Sequence, residues 1–243
     1  MNLPEVKIED LLEAGVHFGH NVRRWNPKME NYIFGVRNNI HIFDLRITQE
    51  AINKSLVKVH EVIGKSGKVL FVGTKKQCVE TVRELAESSN NFYVNKRWLG
   101  GTLTNWKTIS NSINRLNDLE NTINDPQFIN SVSKKELLER TREKEKLQLN
   151  LGGIKDLNGN PDLIVIFDVI KDKLALLEAK KLNIPVVGIA DTNADPELID
   201  YIIPGNDDAI RSINLYKKYF LETILDAQKF ISKDDSVEVD ASK

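Results

Sequence analysis

Lys68-Val69-Leu70-Phe71-Val72-Gly73-Thr74-Lys75-Lys76-Gln77 is the stretch on which the reading of the fold turns. Val69 to Val72 form a short, uninterrupted apolar run, the pattern of a strand with helices over both faces. Gly73 ends the run. Thr74 to Gln77 has the spacing of a capping box, which predicts a helix from there to about Ser88. The same alternation recurs along the chain. Phe92-Tyr93-Val94, Leu163 to Phe167, Val186 to Ala190 and Tyr201-Ile202-Ile203 read as strands. Helices are expected near 172–182 and at about 207–231. Strands that alternate with helices imply right-handed crossovers and a parallel, doubly wound sheet.

Upstream, residues 31–44 read as a hairpin. Tyr32, Phe34 and Val36 alternate with smaller or polar residues, and Asn38-Asn39 can supply the positive φ of a tight turn. A helix follows from about Thr48 to Ile63, with Ile52, Leu56, Val59 and Ile63 on one face. One stretch interrupts the strands: from 105 to about 150 there is only helical signal. Trp106, Ile109, Ile113 and Leu116 keep the 3-4-3 spacing of a coiled-coil seam. Asn124-Asp125-Pro126 stops that helix, and Ser133-Lys134-Lys135-Glu136 is a capping box for a second, highly charged one. The expected organisation is an α/β body (1–104 and 151–231), an antiparallel helical hairpin inserted at 105–150, and a disordered acidic tail at 232–243.

The net charge is −1, so non-specific duplex binding through bulk positive charge is not expected. Charge is instead sorted locally. Residues 17–37 hold Arg23, Arg24, Lys28 and Arg37 against Glu30 alone, and residues 92–117 hold Lys96, Arg97, Lys107 and Arg115 against no acid. Residues 191–208 hold Asp191, Asp195, Glu197, Asp200, Asp207 and Asp208 and no Lys or Arg. A basic side and an acidic side are therefore expected. The single cysteine, Cys78, excludes an internal disulfide and suits a reducing compartment. No apolar run approaches the ~20 residues of a membrane span, and Met1 to Lys7 lacks a secretory pattern. The cytosol, or an organelle matrix, is the expected location.

All three tryptophans lie in two basic-aromatic blocks, His17 to Lys28 and Asn95 to Lys107. Cations beside flat rings form the usual surface for irregular or single-stranded RNA. His17 and His20 share the spacing of a metal-binding pair, yet no further ligand cluster accompanies them in sequence; a turn or an RNA-backbone contact are the other readings. Gly73 to Lys76 sits where a strand passes into a helix, a favourable place for phosphate, without the glycine pattern of a nucleotide loop. Asp168 and Asp191 follow strand ends, where doubly wound enzymes carry catalytic groups, although Asp also caps turns there.

The blocks themselves resemble a known family. Leu11 to His20, Arg24 to Met29, Tyr32 to Gly35, Ile40 to Leu45, Phe71 to Gln77 and Arg97 to Asn105 are similar to the ribosomal protein S two family, and so are Pro161 to Val165, Asn183 to Pro185, Ile189 to Asn193 and Ile203 to Ala209. The resemblance spans about residues 8–225, and the helical insertion suggests the bacterial or organellar form. It implies a flavodoxin-like sheet with a protruding coiled-coil hairpin. It also implies a non-enzymatic role on 16S ribosomal RNA at the neck between head and body of the small subunit, joining late in assembly.

Neighbouring small-subunit proteins are the implied partners, ribosomal protein S one among the candidates, with no membrane, no cofactor or metal, and no stand-alone homo-oligomer. On this reading Arg23, Arg24, Lys28, Lys75, Lys76, Lys96, Arg97 and Lys107 meet phosphate, and Trp25 and Trp98 are the stacking candidates. The rival is a doubly wound enzyme acting on a phosphorylated small molecule with Thr74 to Lys76, Asp168 and Asp191.

Overall fold

The computed structural model describes residues 3–126, 128 and 132–240, with side chains described to residue 230. The stretch that opens the reading is a central strand. Val69–Val72 (β4) is buried along its whole length and pairs in parallel with Phe92–Val94 (β5) on one side and Leu163–Ile166 (β6) on the other. Val186–Ala190 (β7) and Tyr201–Pro204 (β8) complete the parallel sheet in the order β5-β4-β6-β7-β8. This is the flavodoxin-like order, in which the first strand sits inside the second and chain direction reverses beside it.

Alternate side chains of each strand go to opposite faces, so two cores form. Val69, Phe71, Val165, Val187 and Ile189 pack with residues of three helices: Leu45–Gly64 (α2), Val79–Ser88 (α3) and Ile210–Asp240 (α7). Leu70, Val72, Ile164 and Ile166 pack on the other face. There they meet Ala175, Leu176 and Ala179 of Lys173–Lys181 (α6) and the base of the helical arm.

That arm consists of Trp106–Asn124 (α4) and Lys134–Leu151 (α5). Ile109, Ile113, Leu116 and Leu119 are buried along α4. Ile109 and Ile113 also belong to the second core, with Trp106 half-buried against it. Ser133 accepts the Glu136 N–H at 3.2 Å, as the capping box requires. Farther out the two helices are joined by a forked ion pair, Arg115 donating to both oxygens of Glu143 at 3.0 Å each. Leu138 and Leu149 on α5 remain exposed.

The hairpin forms as expected: Ile33–Arg37 (β2) and Ile40–Phe43 (β3) meet at Asn38 and Asn39, with φ of 51° and 60°. Four details differ from the sequence reading. A third strand, Phe18–Asn21 (β1), runs antiparallel to the other edge of β3, inside the stretch read as a basic-aromatic block. A short helix, Ile8–Glu13 (α1), precedes it. The Thr74 box does not cap a helix. The Thr74 hydroxyl donates to Asp172 at 2.7 Å across the sheet edge, and α3 begins at Val79 after an uncapped Cys78. Finally, α7 continues to Asp240 where a disordered tail was expected from 232, because extending a helix already formed needs no new nucleus. Residues 241–243 lie outside the described residues.

Candidate nucleic-acid interface and the ion network beside it

The carboxyl ends of β4, β6, β7 and β8 deliver a dense set of charges to one edge. The Lys75 ammonium reaches Asp168 at 3.1 Å, Asp207 at 2.7 Å and Asp208 at 2.7 Å. Burial alone would lower the Lys75 pKa, but the carboxylates around it raise it on balance. Burial, reinforced by the charges of Asp168 and Asp191 and opposed by Lys75, pushes the Asp207 carboxyl up to about 7. Asp168 also accepts the N–H groups of Ile170 and Lys171 at 3.0 and 2.8 Å, closing the turn after β6. Asp172 accepts both the N–H and the hydroxyl of Thr74.

Asp191 accepts from the Thr192 backbone and lies 2.9 Å from Nδ1 of His20, whose Nε2 is 3.7 Å from Asp208. The Asp191 hydrogen bond raises the His20 pKa, against desolvation. The groups that suggested catalysis in the sequence are thus engaged with one another. His20, Asp191 and Asp208 each bring one donor atom to within 4.8 Å of the others, a set that could hold a divalent cation. His17, the partner considered from sequence, is not in that set; its ring packs on Phe18 with centroids 4.0 Å apart.

This edge overturns the expected separation of charge. The loop after β7 lies on the first basic block, with Asn26 N–H donating to the Thr192 carbonyl at 2.7 Å and His20 N–H to the Thr192 hydroxyl at 3.0 Å. Lys28 consequently pairs with Asp195 at 3.1 Å and Glu197 at 2.5 Å, and Lys180 of α6 with Asp200 at 2.7 Å. The acidic segment therefore faces the first block instead of turning away from it. Lys75 is withdrawn as a phosphate contact because three carboxylates already surround it. Lys28 is exposed but paired. Arg23 and Arg24 are exposed on the short 3-10 turn Val22–Arg24, capped by Asn21, beside a concavity shared with Asn39. Trp25 is half-buried, its ring 4.9 Å from that of His41.

The second block is organised differently. Trp98 is only 6% exposed, so it cannot stack on a base. It belongs to the second core, and its indole N–H donates to Glu178 Oε1 at 3.0 Å. The same oxygen accepts the Gly101 N–H at 2.7 Å. Oε2 accepts the N–H groups of Leu103 and Thr104 and the Thr104 hydroxyl, at 3.0, 3.1 and 3.1 Å. Burial would raise the Glu178 pKa, but these bonds lower it on balance. Glu178 escaped the sequence reading, since a Glu on a helix near lysines reads as a solvated charge. Around this clamp Lys96, Arg97 and Lys107 are exposed. These three, with Arg23, Arg24 and Lys76, carry no ion pair among the described residues.

A second kind of surface lies over the small sheet. Leu12, Phe18, Phe34 and Val36 are exposed, at 46% for Phe18 and 74% for Phe34, and line a groove with His17 and Arg37. Adjacent exposed rings and aliphatic chains of this kind mark protein–protein contact surfaces.

The body is thus doubly wound, with its strand-end carboxylates engaged by Lys75, His20 and backbone N–H groups, and with exposed cations and an apolar groove around it. The family profile described as Ribosomal protein S2 matches residues 11–227. Each of three similar relatives is called Small ribosomal subunit protein uS2. That of Phenylobacterium zucineum is 51% identical over 100% of this chain and 82% of its own length. That of Caulobacter vibrioides is 54% identical over 93% and 84%, and that of Rickettsia akari 48% identical over 99% and 81%. The chain belongs to the ribosomal protein S2 family, in its bacterial type, and is a structural protein, not an enzyme.

Proposed function

We propose that this chain is a structural constituent of the small ribosomal subunit that docks on folded 16S rRNA at the neck between head and body. The observation that carries this reading is that Arg23 and Arg24 of the first basic block, Lys96, Arg97 and Lys107 of the second, and Lys76 after β4 are all exposed and carry no ion pair among the described residues, in a chain of net charge −1. Phosphate recognition by a few fixed cations positions a protein on RNA without requiring bulk charge. Trp25 stays a stacking candidate on its open side. The chain works in the cytoplasm, joins late in subunit assembly, and binds weakly to isolated RNA. The arm built from α4 and α5 reaches neighbouring RNA and protein. The apolar groove at Leu12, Phe18, Phe34 and Val36 receives a neighbouring protein, with ribosomal protein S one the candidate.

The test is sedimentation of a lysate containing the full chain at low magnesium, with a variant carrying Arg23→Glu, Arg24→Glu and Arg97→Glu. The native chain should track with small subunits. The variant should incorporate at least about tenfold less well while its melting temperature stays unchanged. A native chain that remains at the top of the gradient defeats the ribosomal reading. Normal incorporation of the variant shows that rRNA meets another face.

A further inference from the structure

We infer that Glu178 is a positioning residue for rRNA docking: it holds the loop 98–104 so that Lys96, Arg97 and Lys107 are presented in one fixed arrangement. The inference rests on the docking reading above and deepens it.

The geometry is that of an anion held in a backbone nest, with the anion supplied by the protein itself. Five donors converge on one carboxylate: the Trp98 indole N–H, the N–H groups of Gly101, Leu103 and Thr104, and the Thr104 hydroxyl. No sequence-local contact could organise them, because Glu178 lies 74 to 80 residues away in the chain, on α6. Gly101 adopts φ of +87°, a conformation that turns its N–H into the nest and that L side chains rarely take. Bonds to a charged acceptor are stronger than neutral ones, and here both oxygens are used.

The clamped loop connects the second basic block to the arm. Lys96 and Arg97 precede it directly, and Lys107 lies in the first turn of α4, three residues after it ends at Thr104. Without the carboxylate, the backbone donors of half-buried Gly101, buried Leu103 and exposed Thr104, the Thr104 hydroxyl and the Trp98 indole lose their shared acceptor. The loop then has several comparable conformations, and the three cations no longer meet phosphates together. Both oxygens of Glu178 are taken up by these internal donors, so its effect is on the geometry of other side chains.

The test measures binding of the full chain to small subunits prepared without it, across a salt series. Each phosphate contact contributes roughly 0.7–0.9 to the slope of log affinity against log salt. Glu178→Ala and Glu178→Gln should make the slope shallower by about one contact or more, approaching a variant with Lys96→Gln, Arg97→Gln and Lys107→Gln. The glutamine is isosteric, but its amide nitrogen faces N–H donors on one side of the nest. Backbone amides of Gly101, Leu103 and Thr104 should exchange faster in both Glu178 variants.

A merely structural role would reduce the fraction of competent protein and leave the slope unchanged, and that result overturns the inference. If the triple cation variant also keeps the native slope, these three cations meet no phosphate and the inference falls, while docking through Arg23, Arg24 and Lys76 is judged separately by the incorporation test above. Should Glu178→Ala fail to fold, Glu178→Gln and Trp98→Phe, which removes one donor and keeps the carboxylate, must still shift the slope in the same direction.

Discussion

The two cation-rich blocks are alike in composition and opposite in surroundings. Around residues 17–28, His20 and Lys28 are met by Asp191, Asp208, Asp195 and Glu197, so one of the block's three Arg and Lys charges, and its second histidine, are engaged within the protein. Around residues 95–107 the only acid drawn in is Glu178, and it binds backbone and indole donors, leaving Lys96, Arg97 and Lys107 exposed and without ion pairs among the described residues. Local composition announces that charge is present. Whether that charge is available to a partner depends on what the chain brings back to it.

The largest expected effect probes the internally neutralised side. Lys75→Met leaves Asp168, Asp207 and Asp208 without their shared cation, and loss of one partner from a buried pair costs about 3–5 kcal/mol. Thermal unfolding should show it, whereas Lys76→Met, at the exposed neighbouring position, should stay within about 0.5 kcal/mol. Equal effects of the two would break the contrast between neutralised and free cations.

Next in size is a change at the foot of the arm. Any Cβ on Gly153 would overlap the carbonyl and ring of Tyr93. Gly153→Ala should therefore destabilise the protein by about 1–3 kcal/mol and loosen the exit of the arm, read as faster amide exchange in β5 and the following turn.

A smaller effect concerns pH at the first block. His41 is 6% exposed, packs at a tilt against Trp25, and neither ring nitrogen has a hydrogen-bond partner among the described residues. Burial lowers its pKa from 6.5, against a weaker raising influence of Asp191. The unfolded chain then binds the proton more readily than the folded one as pH falls below 6.5. Stability present above that value is lost toward acid, by at most about 1.4 kcal/mol per pH unit. His20 acts in the opposite sense, since its raised pKa adds stability below 6.5 that is lost as pH rises through the folded value. His41→Phe should flatten the acid limb of a stability–pH curve and leave the His20 contribution; an unchanged curve would show that His41 is not the group responsible.

The smallest effect is the sharpest discriminator. Lys28→Ala should leave both the melting temperature and subunit incorporation unchanged, because the side chain is exposed and its charge already paired. A loss of incorporation as great as that of the Arg23, Arg24 and Arg97 triple variant would mean that Lys28 leaves its partners to meet phosphate.

Much of the fold was legible because it is written locally. The four-residue apolar run of β4, the Asn38-Asn39 turn and the Ser133 cap each depend on neighbours only a few residues apart. β1 was missed because Phe18-Gly19-His20-Asn21 lacks an alternating apolar face, and its register with β3 is itself irregular. The Thr74 box misled for a related reason: its hydroxyl had a better partner in Asp172, 98 residues away. Trp98 looked like a stacking platform because sequence displays an aromatic beside cations without saying which way the ring turns; the second core takes it.

The sequence by itself determined the alternation of strands and helices and the inserted helical arm, which rest on residue spacing within short windows, and its motif blocks carried the resemblance to the family. Tertiary structure alone decided which of the cations can reach a partner. Lys28 and Asp195 are 167 residues apart, and Lys75 and Asp207 are 132 apart. An ion pair at a few ångströms is a property of separation in space, and parallel crossovers bring the ends of distant strands to a common edge.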